Sequence, residues 1–252
     1  MYSPEPSQKK ILASDFDGTF FLNYDDMRRN IVEVDKFRKE GNIFVIATGR
    51  SYLGLDVELM KNPVDCDYYV LNHGATIITQ NDEIIEEITL DEKTKKSILL
   101  DLQAMEPATK AVAYKGLKTN VDIEEKGISK IQKVFANLEL AQKANEEINE
   151  RYSNKAISYL VASTNSIEIV SAKANKAKAM KLIAGLENVS SKSIYTVGDS
   201  MNDLEMIKKF NGYCMVNAEE NVKTVCSARC RSVAELIEKI RYEAPKKHVK
   251  FM

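Results

Sequence analysis

Histidine is almost absent: the 252 residues hold only His73 and His248. Cysteine is sparse too, with Cys66, Cys214, Cys226 and Cys230. A structural zinc site takes about four closely grouped nitrogen or sulfur ligands. Cys226 and Cys230 could share a helix face but lack two further ligands nearby, so the expectation is reduced thiols rather than a metal centre. Charge of one sign is also missing. Thirty-six Lys and Arg meet thirty-seven Asp and Glu, for a formal net charge of −1. That argues against a nucleic-acid binder relying on bulk positive charge. No apolar run reaches the roughly 18 residues of a membrane-spanning helix. The opening Met1-Tyr2-Ser3-Pro4-Glu5-Pro6 has neither the basic start nor the apolar core of a signal peptide. These absences set the expectation of a cytoplasmic protein with neither nucleic acid nor membrane as partner.

What is present is ordinary globular material, 44% apolar and 29% charged, long enough for one large domain or two modest ones. The chain is organised around Ser14-Asp15-Phe16-Asp17-Gly18-Thr19-Phe20. Before it, Ile11-Leu12-Ala13 reads as a strand buried on both faces. Two carboxylates one residue apart repel unless a cation or a proton lies between them. Taken alone, the stretch fits either an Asp-rich turn or a Mg²⁺ site in which one Asp can attack phosphorus.

The rest of the chain bears on that choice. Met27, Ile31, Val34 and Phe37 recur at helical spacing, with Gly41 as a stop. Residues 43–47 form a second buried strand ending in Thr48-Gly49-Arg50, and Ser51 can cap a helix running to about Lys61. Residues 68–71 form a third strand ending in Asn72-His73-Gly74. Strand and helix in alternation predict parallel pairing through crossovers.

From Ala75 the rhythm changes. Short strands are expected over 76–79, 83–88, 111–114, 128–135, 157–161 and 167–170, with helices over 91–105 and 138–151. This reads as an α+β insert over residues 75–171. The first rhythm then returns. A helix spans 176–184, and strand 193–197 ends in Gly198-Asp199-Ser200-Met201-Asn202-Asp203. A helix follows, then a strand over 213–216 and a last helix over 232–241. A loose tail is expected over residues 1–9 and a disordered basic ending over 245–250. The fold class is α/β, a Rossmann-like doubly wound parallel sheet with an inserted α+β cap. The core comprises residues 1–74 and 172–252, and the cap residues 75–171.

Four polar clusters fall at equivalent places: Asp15 with Asp17, Thr48 with Arg50, Lys176, and Asp199 with Asn202 and Asp203. Three follow strands and one opens a helix. Open α/β sheets bind ligands at the carboxyl ends of their strands. Phosphoryl transfer needs this set: hard oxygens for Mg²⁺, cationic and hydroxyl donors for the phosphoryl oxygens, and an acid and base for the leaving alcohol and the water.

These motifs resemble the haloacid dehalogenase superfamily, subclass IIB, and within it the Cof-type sugar-phosphate phosphatases. Asp15-Phe16-Asp17-Gly18-Thr19 is similar to the first motif and Gly198-Asp199-Ser200-Met201-Asn202-Asp203 to the fourth. Thr48-Gly49-Arg50 and Asn175-Lys176 fall between them in the expected order. The resemblance implies a Mg²⁺-dependent phosphomonoester hydrolase for small phosphorylated metabolites. By the same resemblance Asp15 is the nucleophile and Asp17 the acid and base. Mg²⁺ is held by Asp15, the Asp17 carbonyl and Asp199. Thr48, Gly49, Arg50, Lys176 and Asn202 lie on the phosphate side, and Asp203 stands behind them.

This chain departs from the family pattern in three places. Asn72-His73-Gly74-Ala75 has one residue more than the usual Asn-Gly-Ala, Phe20 replaces a commoner Leu, and Ala177 a commoner Gly. Lys115, Lys118 and Asn120 flank a loop expected in the cap. A phosphosugar mutase uses the same nucleophile, and a non-catalytic phosphate-binding module could retain the same pocket. Asp17 argues against dehalogenation, which needs no acid at that position.

Overall fold

The computed structural model describes residues 9–105 and 109–242. The tail expected over 1–9, Lys9 excepted, and the basic ending at 245–250 lie outside the described residues.

The chain opens with β1 (Ile11–Ser14), α1 (Tyr24–Lys39), β2 (Ile43–Ala47), α2 (Tyr52–Leu59) and β3 (Tyr68–Leu71). β4 (Thr76–Thr79) and β5 (Ile84–Glu87) follow. Next come α3 (Glu92–Met105), β6 (Val112–Lys115), β7 (Lys118–Val121), β8 (Lys130–Val134), α4 (Leu138–Tyr152), β9 (Ala156–Val161) and β10 (Ser166–Ser171). The chain ends with α5 (Lys176–Leu186), β11 (Ile194–Gly198), α6 (Leu204–Lys209), β12 (Asn211–Met215), α7 (Glu220–Lys223), β13 (Ala228–Cys230) and α8 (Val233–Tyr242).

Eight strands make the larger sheet, in the order β13-β12-β11-β1-β2-β3-β4-β5. Pairing is parallel from β13 to β3. β1 and β2 are fully buried because both faces of the sheet are covered. Strand alternation sorts their side chains. Leu12, Phe44 and Ile46 pack with Met27, Val34 and Phe37 of α1 and with Leu236, Ile237 and Ile240 of α8. Ile11, Ala13, Ile43, Val45 and Ala47 face Ala179, Met180 and Ile183 of α5. Helices on both faces of a parallel sheet give the doubly wound architecture. β1 lies between β2, which follows it, and β11, which returns much later. That reversal of strand order opens a crevice at the carboxyl end of β1.

The smaller sheet is antiparallel, β7-β6-β8-β10-β9. On one face Ala113, Ile131, Ile167 and Ile169 meet Ile98 and Leu102 of α3 and Ala141, Ala144 and Ile148 of α4. By alternation Lys130, Gln132 and Glu168 belong to the opposite face. The segments joining the two sheets pass side by side. Asn72, His73 and Gly74 all have positive φ, and a Cβ on Gly74 would collide with the backbone of Asn175 and Lys176. Glycine there permits the close approach.

Several sequence expectations need correction. β4 and β5 do not belong with the insert: β4 pairs antiparallel with β3 and extends the larger sheet, so the second sheet draws on residues beyond β5. The change of rhythm at Ala75 marks a change of strand direction, not a change of sheet. Lys118 and Asn120 lie on a strand, because Gly116 with φ of 55° turns Lys115 back into the hairpin β6–β7. α7 and β13 are short elements with too few residues for a periodic signal. The thiols are not all reduced: Cys214 of β12 is bonded to Cys226, with Cα atoms 5.7 Å apart, while Cys66 and Cys230 are free and buried. Cys226 and Cys230 share no helix, since Cys230 ends β13.

Candidate active site

β1 delivers Asp15 to the crevice. Its backbone N–H donates to the Val197 carbonyl of β11 at 2.9 Å, so the residue is fixed where the strands diverge. The turn after it is tight. Gly18 has φ of 77°, and a Cβ there would fall 2.5 Å from Asp199 Oδ2. The first motif and the end of β11 can therefore meet only through a glycine.

Asn175 caps α5 by accepting from the backbone N–H of Ala177 and Lys178, which starts the helix at Lys176. A cation in the first helical turn opposes the helix dipole. Two carboxylates offset that. Lys176 Nζ lies 2.7 Å from Asp15 Oδ1 and 2.7 Å from Asp203 Oδ1, with Asn202 Oδ1 at 3.2 Å. Burial alone would lower the Lys176 pKa, but Asp15 and Asp203 outweigh it and hold it above its ordinary value. Asp203 Oδ2 accepts from the backbone N–H of Asp199 and of Ser200, so both of its oxygens are engaged. Asp203 braces Lys176 and the turn after β11.

Three carboxylates, Asp15, Asp199 and Asp203, bring oxygens within 4.8 Å of one another. Burial raises the Asp15 pKa, and the Asp203 charge adds to that against the pull of Lys176. Burial likewise pushes Asp199 up to about 6, although Thr19 Oγ1 donates to its Oδ1 at 2.6 Å and pulls it down. Among the described residues, Asp15 Oδ2 and Asp199 Oδ2 accept no hydrogen bond. Clustered carboxylates of this kind, with oxygens not engaged in hydrogen bonds, fit a hard divalent cation. The Asp17 side chain stands outside this cluster.

Asp17 is about half exposed and pairs with Arg50. Nε donates to Oδ2 at 2.7 Å and Nη2 to Oδ1 at 2.8 Å. Arg50 Nη1 donates to the Gly54 carbonyl, and the guanidinium lies over the Phe16 ring. Arg50, expected on the phosphate side, is thus bound to the second carboxylate of the first motif. Thr48 is buried, and its Oγ1 accepts from the Arg50 backbone N–H at 3.1 Å. Among the described residues no acceptor takes its hydroxyl hydrogen. Asn202 turns its Oδ1 to Lys176 and Ser200. Gly49 has no room for a side chain beneath the His73 ring.

A cavity of about 860 Å³ joins these groups. Asp15, Asp17, Thr48, Arg50 and Asn202 line its floor, and Gln132, Tyr159 and Thr164 of the smaller-sheet region line its wall. Residues 12–121 and 109–236 match the model of the haloacid dehalogenase-like hydrolase family. The chain belongs to that family. It is 26% identical to 5-amino-6-(5-phospho-D-ribitylamino)uracil phosphatase of Bacillus subtilis over 85% of this chain and 86% of that protein. It is 25% identical to a second Bacillus subtilis phosphatase over 87% of this chain and 93% of the other. The fold is similar to that of a haloacid dehalogenase-like hydrolase from Bacteroides thetaiotaomicron, with a TM-score of 0.74, 21% identity, and coverage of 92% of this chain and 100% of the other.

Sequence reasoning missed the contact of Thr19 with Asp199 and the pairing of Arg50 with Asp17. No local pattern signals either contact. The His73 ring is buried against Glu168 and Tyr159.

Proposed function

We propose that this chain is a Mg²⁺-dependent phosphatase for small phosphorylated metabolites of the sugar- or polyol-phosphate kind. One observation carries the reading: Asp15, at the floor of a large cavity with Asp17, Thr48 and Asn202, is paired with the buried Lys176, which Asp203 clamps from behind. The hydrolase family and the phosphatase names of similar proteins support it. The Bacillus relative is named for a substrate with its phosphate at the end of a ribityl chain.

Asp15 and Asp199 would hold Mg²⁺, and the bound cation would neutralise charge on the phosphoryl oxygens. The ion pair with Lys176 favours the ionised Asp15 needed for attack. A carboxylate oxygen of Asp15 bonds to phosphorus as the ester P–O bond breaks. Lys176 and Thr48 hold the phosphoryl oxygens, with Asn202 beside them. Asp17 gives a proton to the departing alkoxide and then takes one from the water that attacks the aspartyl-phosphate. That step restores Asp15 and releases phosphate. For Asp17 to carry a proton its pair with Arg50 must open, and its half-exposed position at the cavity permits this.

The wall over the site offers Gln132, Ser163 and Thr164, neutral groups suited to hydroxyls rather than to a second phosphate. The test is phosphate release from a panel of sugar, polyol and nucleoside monophosphates with Mg²⁺ and with chelator. Metal-dependent release of phosphate from sugar or polyol monophosphates is the expected result. Isomer formation without phosphate release, or no turnover even of an aryl phosphate, would overturn the reading.

A further inference from the structure

Between the two sheets lies a buried charged chain that plays no part in the chemistry above. Lys130 Nζ, on β8, lies 2.7 Å from Glu168 Oε1, on β10. Glu168 Oε2 lies 2.7 Å from His73 Nε2, in the segment after β3. The same Lys130 Nζ donates at 3.0 Å to the Gly49 carbonyl, across the boundary. The His73 ring stacks on Tyr159 of β9, with centroids 4.0 Å apart. Side-chain exposure is 2% for Lys130, 4% for His73 and 11% for Glu168, so the chain is largely buried, with His73 and Glu168 reaching the edge of the cavity.

Its protonation is set by this enclosure. Burial would raise the Glu168 carboxyl, but Lys130 and His73 outweigh it and hold it at about 2. Burial lowers His73 below its ordinary value despite Glu168. Burial likewise lowers Lys130 against the pull of Glu168. A buried ion pair contributes little net stability compared with apolar packing.

What this chain grips is specific. Thr48, Gly49 and Arg50 are held on one side by backbone bonds, from His73 N–H to the Thr48 carbonyl at 3.0 Å and from Asn72 N–H to the Arg50 carbonyl at 2.9 Å. On the other side they are held by Lys130, which reaches in from the smaller sheet. His73 and Asn72 both sit at positive φ, uncommon for residues other than glycine. The backbone is thus kept in a costly shape where it meets the loop.

We propose that Lys130, Glu168 and His73 are positioning residues. Seating the smaller sheet on the larger sets the Thr48-Gly49-Arg50 loop, and with it the Thr48 hydroxyl and the Arg50 that holds Asp17. This rests on the reading of Thr48 as a phosphoryl-holding group and adds Lys130 and Glu168 of the second sheet, with His73, as residues that act on it through the loop. Misplacing a reacting group by about 1 Å can cost on the order of 100-fold in rate.

The test compares wild type with Lys130→Met/Glu168→Gln, which removes both charges and leaves neither buried alone. Steady-state kinetics are measured with Mg²⁺ on a small aryl phosphate and on the largest metabolite the wild type accepts. The expected result is a fall in kcat of about 10- to 100-fold, by the same factor on both substrates, with KM changed by less than about threefold. A kcat within about twofold of wild type overturns the proposal. So does a loss confined to KM or to the larger substrate, which would mark these residues as substrate contacts. If the double variant does not fold, His73→Asn carries the test, since Asn tolerates the left-handed backbone and the Lys130–Glu168 pair stays intact. It should lower kcat on both substrates alike, and an unchanged kcat overturns the proposal. A wild type inactive on both substrates would instead bring down the phosphatase reading itself.

Discussion

Thr19 joins the first motif to a carboxylate 180 residues away in sequence. Its hydroxyl donates to Asp199 Oδ1, and the Asp199 carboxylate lies in one cluster with Asp15 and Asp203. Such outer partners orient a metal ligand, and losing one typically costs about 10- to 100-fold in metal affinity or activity. Thr19→Val should therefore raise the Mg²⁺ concentration for half-maximal activity by about that factor with the fold intact, as a Mg²⁺ titration of phosphate release would show. An unchanged midpoint would contradict the assignment. Asp15, Thr48 and Asp199 were visible in the sequence because each follows an apolar strand. The partners of Thr19 and Arg50 were not, because they depend on how distant side chains meet once the strands are in register.

At the scale of elements, α5 shows how a local signal places a group. Asn175 accepts from two backbone N–H groups and starts the helix where Lys176 can reach Asp15. Asn175→Ala should cost about 1 kcal/mol of stability, measured by urea unfolding, and should lower kcat through a displaced Lys176. A loss of stability with kcat unchanged would separate the cap from the site. The buried strands β1 and β2 were legible because parallel strands covered on both faces read as unbroken apolar runs. β7 was read as loop because three of its four residues, Lys118, Thr119 and Asn120, are polar and half are exposed, as suits a sheet edge. Partners were the harder matter. Strand propensity marked residues 76–79, but only the pairing with β3 assigned them to the larger sheet.

Across the whole molecule, stability in acid should follow the buried groups between the sheets. Glu168 is held at about 2 against an ordinary 4.5. A carboxyl depressed on folding adds stability above its ordinary value and loses it as pH falls through the folded value. His73 is also lowered, from an ordinary 6.5, so its contribution starts to fade below that pH. The unfolding midpoint should therefore drop as pH falls from about 6.5 toward 2, and more shallowly in Glu168→Gln. A variant profile parallel to wild type would contradict this. The doubly wound order was readable from the alternation of strand and helix, whereas the packing of one sheet on the other was not, because Lys130, Glu168 and Gly49 carry no shared local pattern. The central claim is that Asp15 attacks phosphorus. Phosphate release by wild type and Asp15→Asn, with Mg²⁺ and with unfolding midpoints measured alongside, tests it most directly. The account predicts a loss of at least about 10³-fold in a variant that stays folded, and an Asp15→Asn protein turning over at the wild-type rate would contradict it.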